Sequence, residues 1–240
     1  MAAKKTKKKS AKKVVLTENQ KEELATEGEL PKNSIVKKET KQLIWFFVVV
    51  AIVFASFLVP YFWIESTKDF QYGGIDWVVE EYAEPVGSVY HGRFLAFNRL
   101  DLFFNIFQRI DPRENDVSTE GTFDDFWSKG IISLSPEVDT CRGQLSRVIL
   151  DLSSFLTTGV GLPLLESGST DEDVANQTNR IYADCDAFDD RTIIIIDIGD
   201  PAVIKDKENP SCYRIYAEDC NDVSSVEKFI FKATEDFVLA

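Results

Sequence analysis

The longest uninterrupted apolar stretch runs from Leu43 to Trp63, LIWFFVVVAIVFASFLVPYFW, and carries no charged side chain. At ~1.5 Å per helical residue it reaches about the 30 Å of a bilayer's hydrocarbon core. No polar residue interrupts it before Ser56, so it lacks the polar face of a helix covering a soluble core. It is also longer than the roughly 7–15 residues of a signal-peptide apolar region. It leaves through the bulky Val59-Pro60-Tyr61-Phe62-Trp63, unlike the small residues of a cleavage site. An uncleaved membrane anchor over 43–63 is therefore predicted. Leu43 and Trp45 lie near one end and Tyr61 and Trp63 near the other, where interfacial aromatics belong. Pro60 falls in the predicted last turn.

Beyond the anchor the periodicity changes. Candidate strands are Ile75–Tyr82, Ser88–Asn98, Leu102–Ile110 and Ile131–Leu134. In the third, Leu102, Phe104, Ile106 and Ile110 share a face by two-residue alternation. Gly73-Gly74, Pro85-Val86-Gly87 and Asp111-Pro112 punctuate these runs as turns. From Leu145 to Leu156 the apolar positions recur at helical spacing, and Gly159 and Gly161 end that helix. Thr170 with Asp173 signals a capped helix reaching about Tyr182. Thr192–Ile198, TIIIIDI, reads as a strand buried on both faces. Ala202–Lys205 and Cys212–Tyr216 suit a hairpin. Ser224 with Glu227 signals the last helix, whose inward face is Val226, Phe229, Ile230, Ala233 and Phe237. The expectation is an α/β or α+β domain over 64–240, β-rich first and β/α afterwards, following the transmembrane helix.

Charge sharpens this topology. Residues 1–42 hold 12 Lys and 6 Glu, while the whole chain has a formal charge of −13. The segment after the anchor is therefore strongly acidic. Lysines beside a span stay cytoplasmic, so the N-terminus is expected inside and the acidic domain outside the plasma membrane. The lysine-rich tail cannot bury enough apolar surface to fold alone. Its composition suits topology or lipid head groups better than specific nucleic-acid binding.

All four cysteines, Cys141, Cys185, Cys212 and Cys220, fall in the acidic domain. An even count on an exported side suits disulfides. Three connectivities are possible. Proximity in sequence favours Cys141–Cys185 with Cys212–Cys220. Asn176-Gln177-Thr178 matches an N-glycosylation acceptor.

Catalytic signatures are sparse. His91 is the single histidine, and no Gly-x-Ser-x-Gly elbow accompanies it. Cys212 and Cys220 are too far apart for a thioredoxin-like motif. Histidine-rich zinc sites are excluded by count, and paired cysteines at zinc spacing are missing. Carboxylates cluster at Asp124-Asp125, Asp171-Glu172-Asp173, Asp184 with Asp186, and Asp189-Asp190. A chain this acidic produces such clusters on a solvated surface, and none has EF-hand spacing. No catalytic residue, metal or cofactor is assigned from the sequence.

The segments FQYGGIDW (70–77), YHGRF (90–94), IDPREND (110–116), SLSPEVDTC (133–141) and RIYADC (180–185), with the Cys212…Cys220 tail, resemble uncharacterised archaeal single-pass membrane proteins. The resemblance implies the same topology and one exported domain, and carries over no functional residue. The expected role is to bind or scaffold cell-envelope components, with the lipid bilayer and envelope proteins or a second copy as partners. The alternatives are an acidic-residue ectohydrolase and an accessory subunit of a membrane complex.

Overall fold

The computed structural model describes residues 35–239 except 98, 142 and 144. In chain order its elements are α1 (Ile35–Lys68), β1 (Asp69–Tyr72), β2 (Ile75–Glu81), β3 (Ser88–Ala96), β4 (Arg99–Gln108), β5 (Ser118–Glu120) and β6 (Lys129–Leu134). Next come α2 (Pro136–Asp139), α3 (Ser146–Ser154), a π-helical turn (Phe155–Val160), β7 (Leu164–Ser169), α4 (Glu172–Thr178) and β8 (Ile181–Tyr182). The chain closes with β9 (Thr192–Ile198), β10 (Ala202–Lys205), β11 (Cys212–Ala217) and α5 (Ser224–Leu239). It divides into two compact units at Phe62–Trp63.

Within α1, Thr40–Ile64 is long and apolar enough to cross a membrane, with a mean hydropathy of 2.7 and no part buried. A soluble core helix would hide such side chains, whereas Leu43, Trp45, Tyr61 and Trp63 are all exposed. Ser56 donates its hydroxyl to the Val53 carbonyl at 2.6 Å, keeping the polar atom satisfied inside the helix. Pro60 does not close the helix, which continues to Lys68.

The second unit is mixed α/β with two sheets. The first is an antiparallel meander in the order β1-β2-β3-β4. Gly73 and Gly74 both have positive φ, as a two-residue hairpin turn of matching twist requires. A Cβ on Gly73 would sit 2.6 Å from the Phe231 ring, so the turn is glycine for space as well as conformation. The second sheet has the order β5-β10-β11-β9-β6-β7-β8. β11, β9, β6 and β7 run parallel, and β10 joins β11 by the expected antiparallel hairpin.

The main core lies between the sheets, with α3, the π turn and α5 filling the space. Phe229 and Phe231 are two residues apart, about 200° around a helix. They accordingly face opposite ways. Phe229 packs against Tyr213 of the second sheet at 5.5 Å, and Phe231 against Trp77 of the first at 6.2 Å. The predicted stripe on α5 is buried at Val226, Phe229, Ile230 and Ala233. A second buried stripe through Phe231 escapes single-face periodicity, because this helix is covered on both sides.

Ile193 to Ile196 are almost wholly buried, as the TIIIIDI run predicts. Their outer face is covered by Cys185, Cys212 and Phe188 rather than by a helix. Three local expectations are corrected. Gly159 does not end the α3 helix but lies inside the π turn, where a Cβ would press on Phe155, Phe94 and Phe104 at 3.1–3.3 Å. Gly161, left-handed, is the stop. Asp171 rather than Thr170 caps α4, accepting from Val174 N. That helix stops at left-handed Asn179, and 181–182 pair with β7 as a strand instead.

The disulfide pairing is corrected too. The bonds are Cys141–Cys220 and Cys185–Cys212. Cys212 opens β11, and the six strand residues before the Cys220 turn advance about 3.3 Å each. That carries Cys220 to the far end of the sheet, beyond the ~7 Å Cα limit for a bridge to Cys212. Cys220 follows the carboxyl end of β11, and Cys141 follows the carboxyl end of the parallel β6. The two therefore meet on the same side. Proteolysis of the unreduced protein and mass spectrometry should recover peptides linking 141 to 220 and 185 to 212. A 141–185 link would contradict this fold. Replacing Cys141 by Ser should cost more stability than replacing Cys185, about 4.5 against about 3.6 kcal/mol by loop entropy, read from denaturant midpoints.

Candidate functional site

β4 leads along one rim of the first sheet and ends against α5. Its alternation holds as predicted: Ile106 and Gln108 are buried, while Phe103, Asn105 and Phe107 face out. The buried Gln108 needs a partner, and its Nε2 donates to the Glu227 carbonyl at 2.9 Å. The Glu227 carboxylate accepts from the backbone N–H groups of Arg109 at 2.8 Å and Ile110 at 3.1 Å. One residue of α5 thus ties down three donors at the end of β4.

This use of Glu227 departs from the expected capping box. The first turn of α5 is instead held by Asp222, whose Oδ1 accepts from Ser224 N at 2.7 Å. Glu227 is only 9% exposed, and burial pushes its carboxyl up to about 7, against the pull of the two N–H groups. A glutamate beside the apolar stripe Val226, Phe229, Ile230 is the one hint in the sequence of an inward carboxylate.

Beside this staple lies a cleft of about 230 Å³. Ile106, Val148, Val226 and Ile230 give it an apolar floor, and Arg109, Arg147, Asp151 and Glu227 supply charge. Burial also raises the Asp151 carboxyl. A smaller hollow of about 150 Å³ continues along β4 through Phe104, Asn105 and Phe107, opposite Asp151 and Ser154 of α3. The two hollows therefore flank the second half of β4, Phe104 to Gln108.

On the outer face of the sheet, His91 stacks on Phe107 with centroids 4.5 Å apart. Its Nδ1 lies 3.2 Å from Glu80 and its Nε2 3.0 Å from Asn105 Oδ1. Arg93 sits 4.7 Å over the Phe103 ring. Among the described residues, no serine or cysteine nucleophile bonds to His91. Its visible work is to fix the Phe107 ring.

The remaining sequence candidates lie elsewhere. Lys205 pairs with Asp125 and approaches Asp124 at 3.9 Å. Asp184 pairs with Arg214 at 2.5 Å in an acidic hollow that also contains Asp186, Asp206 and Glu208. Asn176 is exposed on α4, and the hydroxyl of Thr178 donates to the Val174 carbonyl. Among the described residues, no group of three or more His, Cys, Asp or Glu is placed to hold a metal ion.

Glu227 makes a pH prediction. Its folded pKa exceeds the unfolded value near 4.5, so the folded state holds the proton more tightly between about 4.5 and 7. Its contribution to stability is present below that window and lost as pH rises through 7. Relative to Glu227→Gln, the native chain should lose about 3 kcal/mol between pH 4.5 and pH 8, at 1.36 kcal/mol per unit. Parallel unfolding curves for the two proteins across that range would contradict the assignment. No protein family matches this chain, and no curated protein or solved structure matches it either.

Proposed function

We propose that the protein is a single-pass, membrane-anchored extracytoplasmic domain that binds cell-envelope components through the open edge of β4. The anchor is Leu43–Trp63, within the apolar segment Thr40–Ile64, with the lysine-rich residues 1–42 cytoplasmic and the disulfide-bearing unit in the oxidising space outside. The observation that carries the binding role is the inequality of the sheet edges. β1, β5 and β8 are edge strands of four, three and two residues, whereas β4 has ten. Short edges are a usual defence against unwanted strand pairing. Among the described residues β4 pairs with β3 alone, and its sequence RLDLFFNIFQ contains no proline. An extended segment added there gains main-chain hydrogen bonds and places side chains against Phe103 and Phe107.

A photo-cross-linking amino acid in place of Phe107, in the full-length protein in native membranes, should give one discrete adduct. The same group at Asn176 should give none. A similar diffuse smear from both positions would sink the proposal.

A second reading, an acidic-residue hydrolase, is favoured by Asp151 and Glu227 lining one cleft with both carboxyls raised. Against it, both Glu227 oxygens are occupied by backbone donors. Turnover of glycoside or ester chromogenic substrates that disappears in Asp151→Asn would support this reading. No turnover by the native protein would remove it.

A further inference from the structure

We infer that the segment received by β4 is the carboxyl terminus of a partner protein, whose last, apolar side chain fills the cleft beside Glu227 and whose carboxylate pairs with Arg109; this deepens the edge-binding role proposed above and rests on it. The two hollows share Ile106, Phe107, Asp151 and Ile230, so they adjoin. Among the described residues the smaller is lined by β4, α3, the π turn and α5, with none from β3. It therefore opens on the unpaired side of the strand. From Phe104 to Gln108 is about 13 Å at ~3.3 Å per residue, the reach of about five extended residues. At about 230 Å³ the cleft falls below the roughly 300–1,000 Å³ that encloses a whole small molecule. It suits one terminal residue, with the rest of the ligand lying outside it along β4.

The charges of the cleft select the terminus. Arg147 and Asp151 face each other at 3.9 Å, one turn apart on α3. Glu227 spends both carboxylate oxygens on the N–H groups of Arg109 and Ile110. Its carboxyl is also raised to about 7, which weakens it as a counterion. Arg109 attracts both carboxylates across the cleft, yet its side chain forms no ion pair or hydrogen bond among the described residues. One cation is therefore left over beside the apolar walls of Ile106, Val148, Val226 and Ile230. A carboxylate carried next to an apolar side chain matches both features, and a chain ending in Leu, Ile, Val or Phe presents that combination. A guanidinium grips a carboxylate through two parallel N–H···O bonds, and Arg109 is exposed enough to turn toward one. The carboxyl end must lie at the Arg109 end, so the segment runs parallel to β4. A terminus ending in Asp or Glu would bring a second anion toward Asp151 and leave the apolar walls uncovered.

The test uses the full-length protein in nanodiscs and a pool of peptides randomised over their last few residues, half with free carboxyl ends and half amidated. Retained peptides should carry the free carboxylate and end in Leu, Ile, Val or Phe. Amidating a retained peptide should weaken its binding about tenfold or more, the worth of one charge-assisted pair. Arg109→Gln should erase that preference, and Arg109→Lys should restore part of it, which a misfolded variant would not do. Equal retention of amidated peptides would overturn the inference, as would no retention at all or a preference unchanged in Arg109→Gln. Octanoate binding as tightly as the retained peptides would assign the cleft to a small amphiphile and overturn the peptide terminus. A discrete Phe107 adduct in native membranes, with no carboxylate preference in the pool, would overturn the terminus and leave the edge-binding role standing. Absence of both would end both.

Discussion

Everything in the unit after Phe62 depends on α5 being clamped between two sheets. Phe229 and Phe231 point to opposite sides of one helix, and each finds an aromatic partner in a different sheet. Burial of large apolar surface on both sides is the main stabilising force available. It also explains why the Gly73-Gly74 turn is closely packed. The first sheet must approach α5 closely enough that a methyl group on Gly73 would collide with Phe231.

The same clamp creates the polar feature. A helix buried on both faces has little surface on which to keep a charge in water. Glu227 falls on a buried face and takes up the N–H groups beyond β4. Its carboxyl stays high because the desolvation penalty on the charged form exceeds what two backbone donors return. The cost of burying it is offset in part by fixing the end of a long edge strand. Structure, electrostatics and the proposed binding surface thus meet at one residue.

Alternating residues such as Ile75, Trp77, Ile106 and Gln108 made the first sheet legible, and the four isoleucines of β9 marked the centre of the second. Such patterns survive because each strand sees a stable inside and outside. The capping signals were less faithful. Asp171 and Asp222 hold the turns in place of the expected Thr170 and Ser224. Glu227, with the spacing of a capping residue, was drawn across the core instead. A local motif competes with every tertiary partner within reach, and here the N–H groups of Arg109 and Ile110 take the Glu227 carboxylate.

The sequence alone determined the long apolar helix, the charge asymmetry, the mixed α/β class and the strands with clear alternation. These follow from composition and period, which involve neighbours in the chain. Tertiary structure decided which cysteines meet, which face of α5 is buried, and which strand is left open. Parallel strand order in the second sheet brings Cys141 beside Cys220, and the antiparallel meander of the first sheet leaves the ten residues of β4 at an edge. Those outcomes depend on contacts between residues far apart in the chain, and no local pattern encodes them.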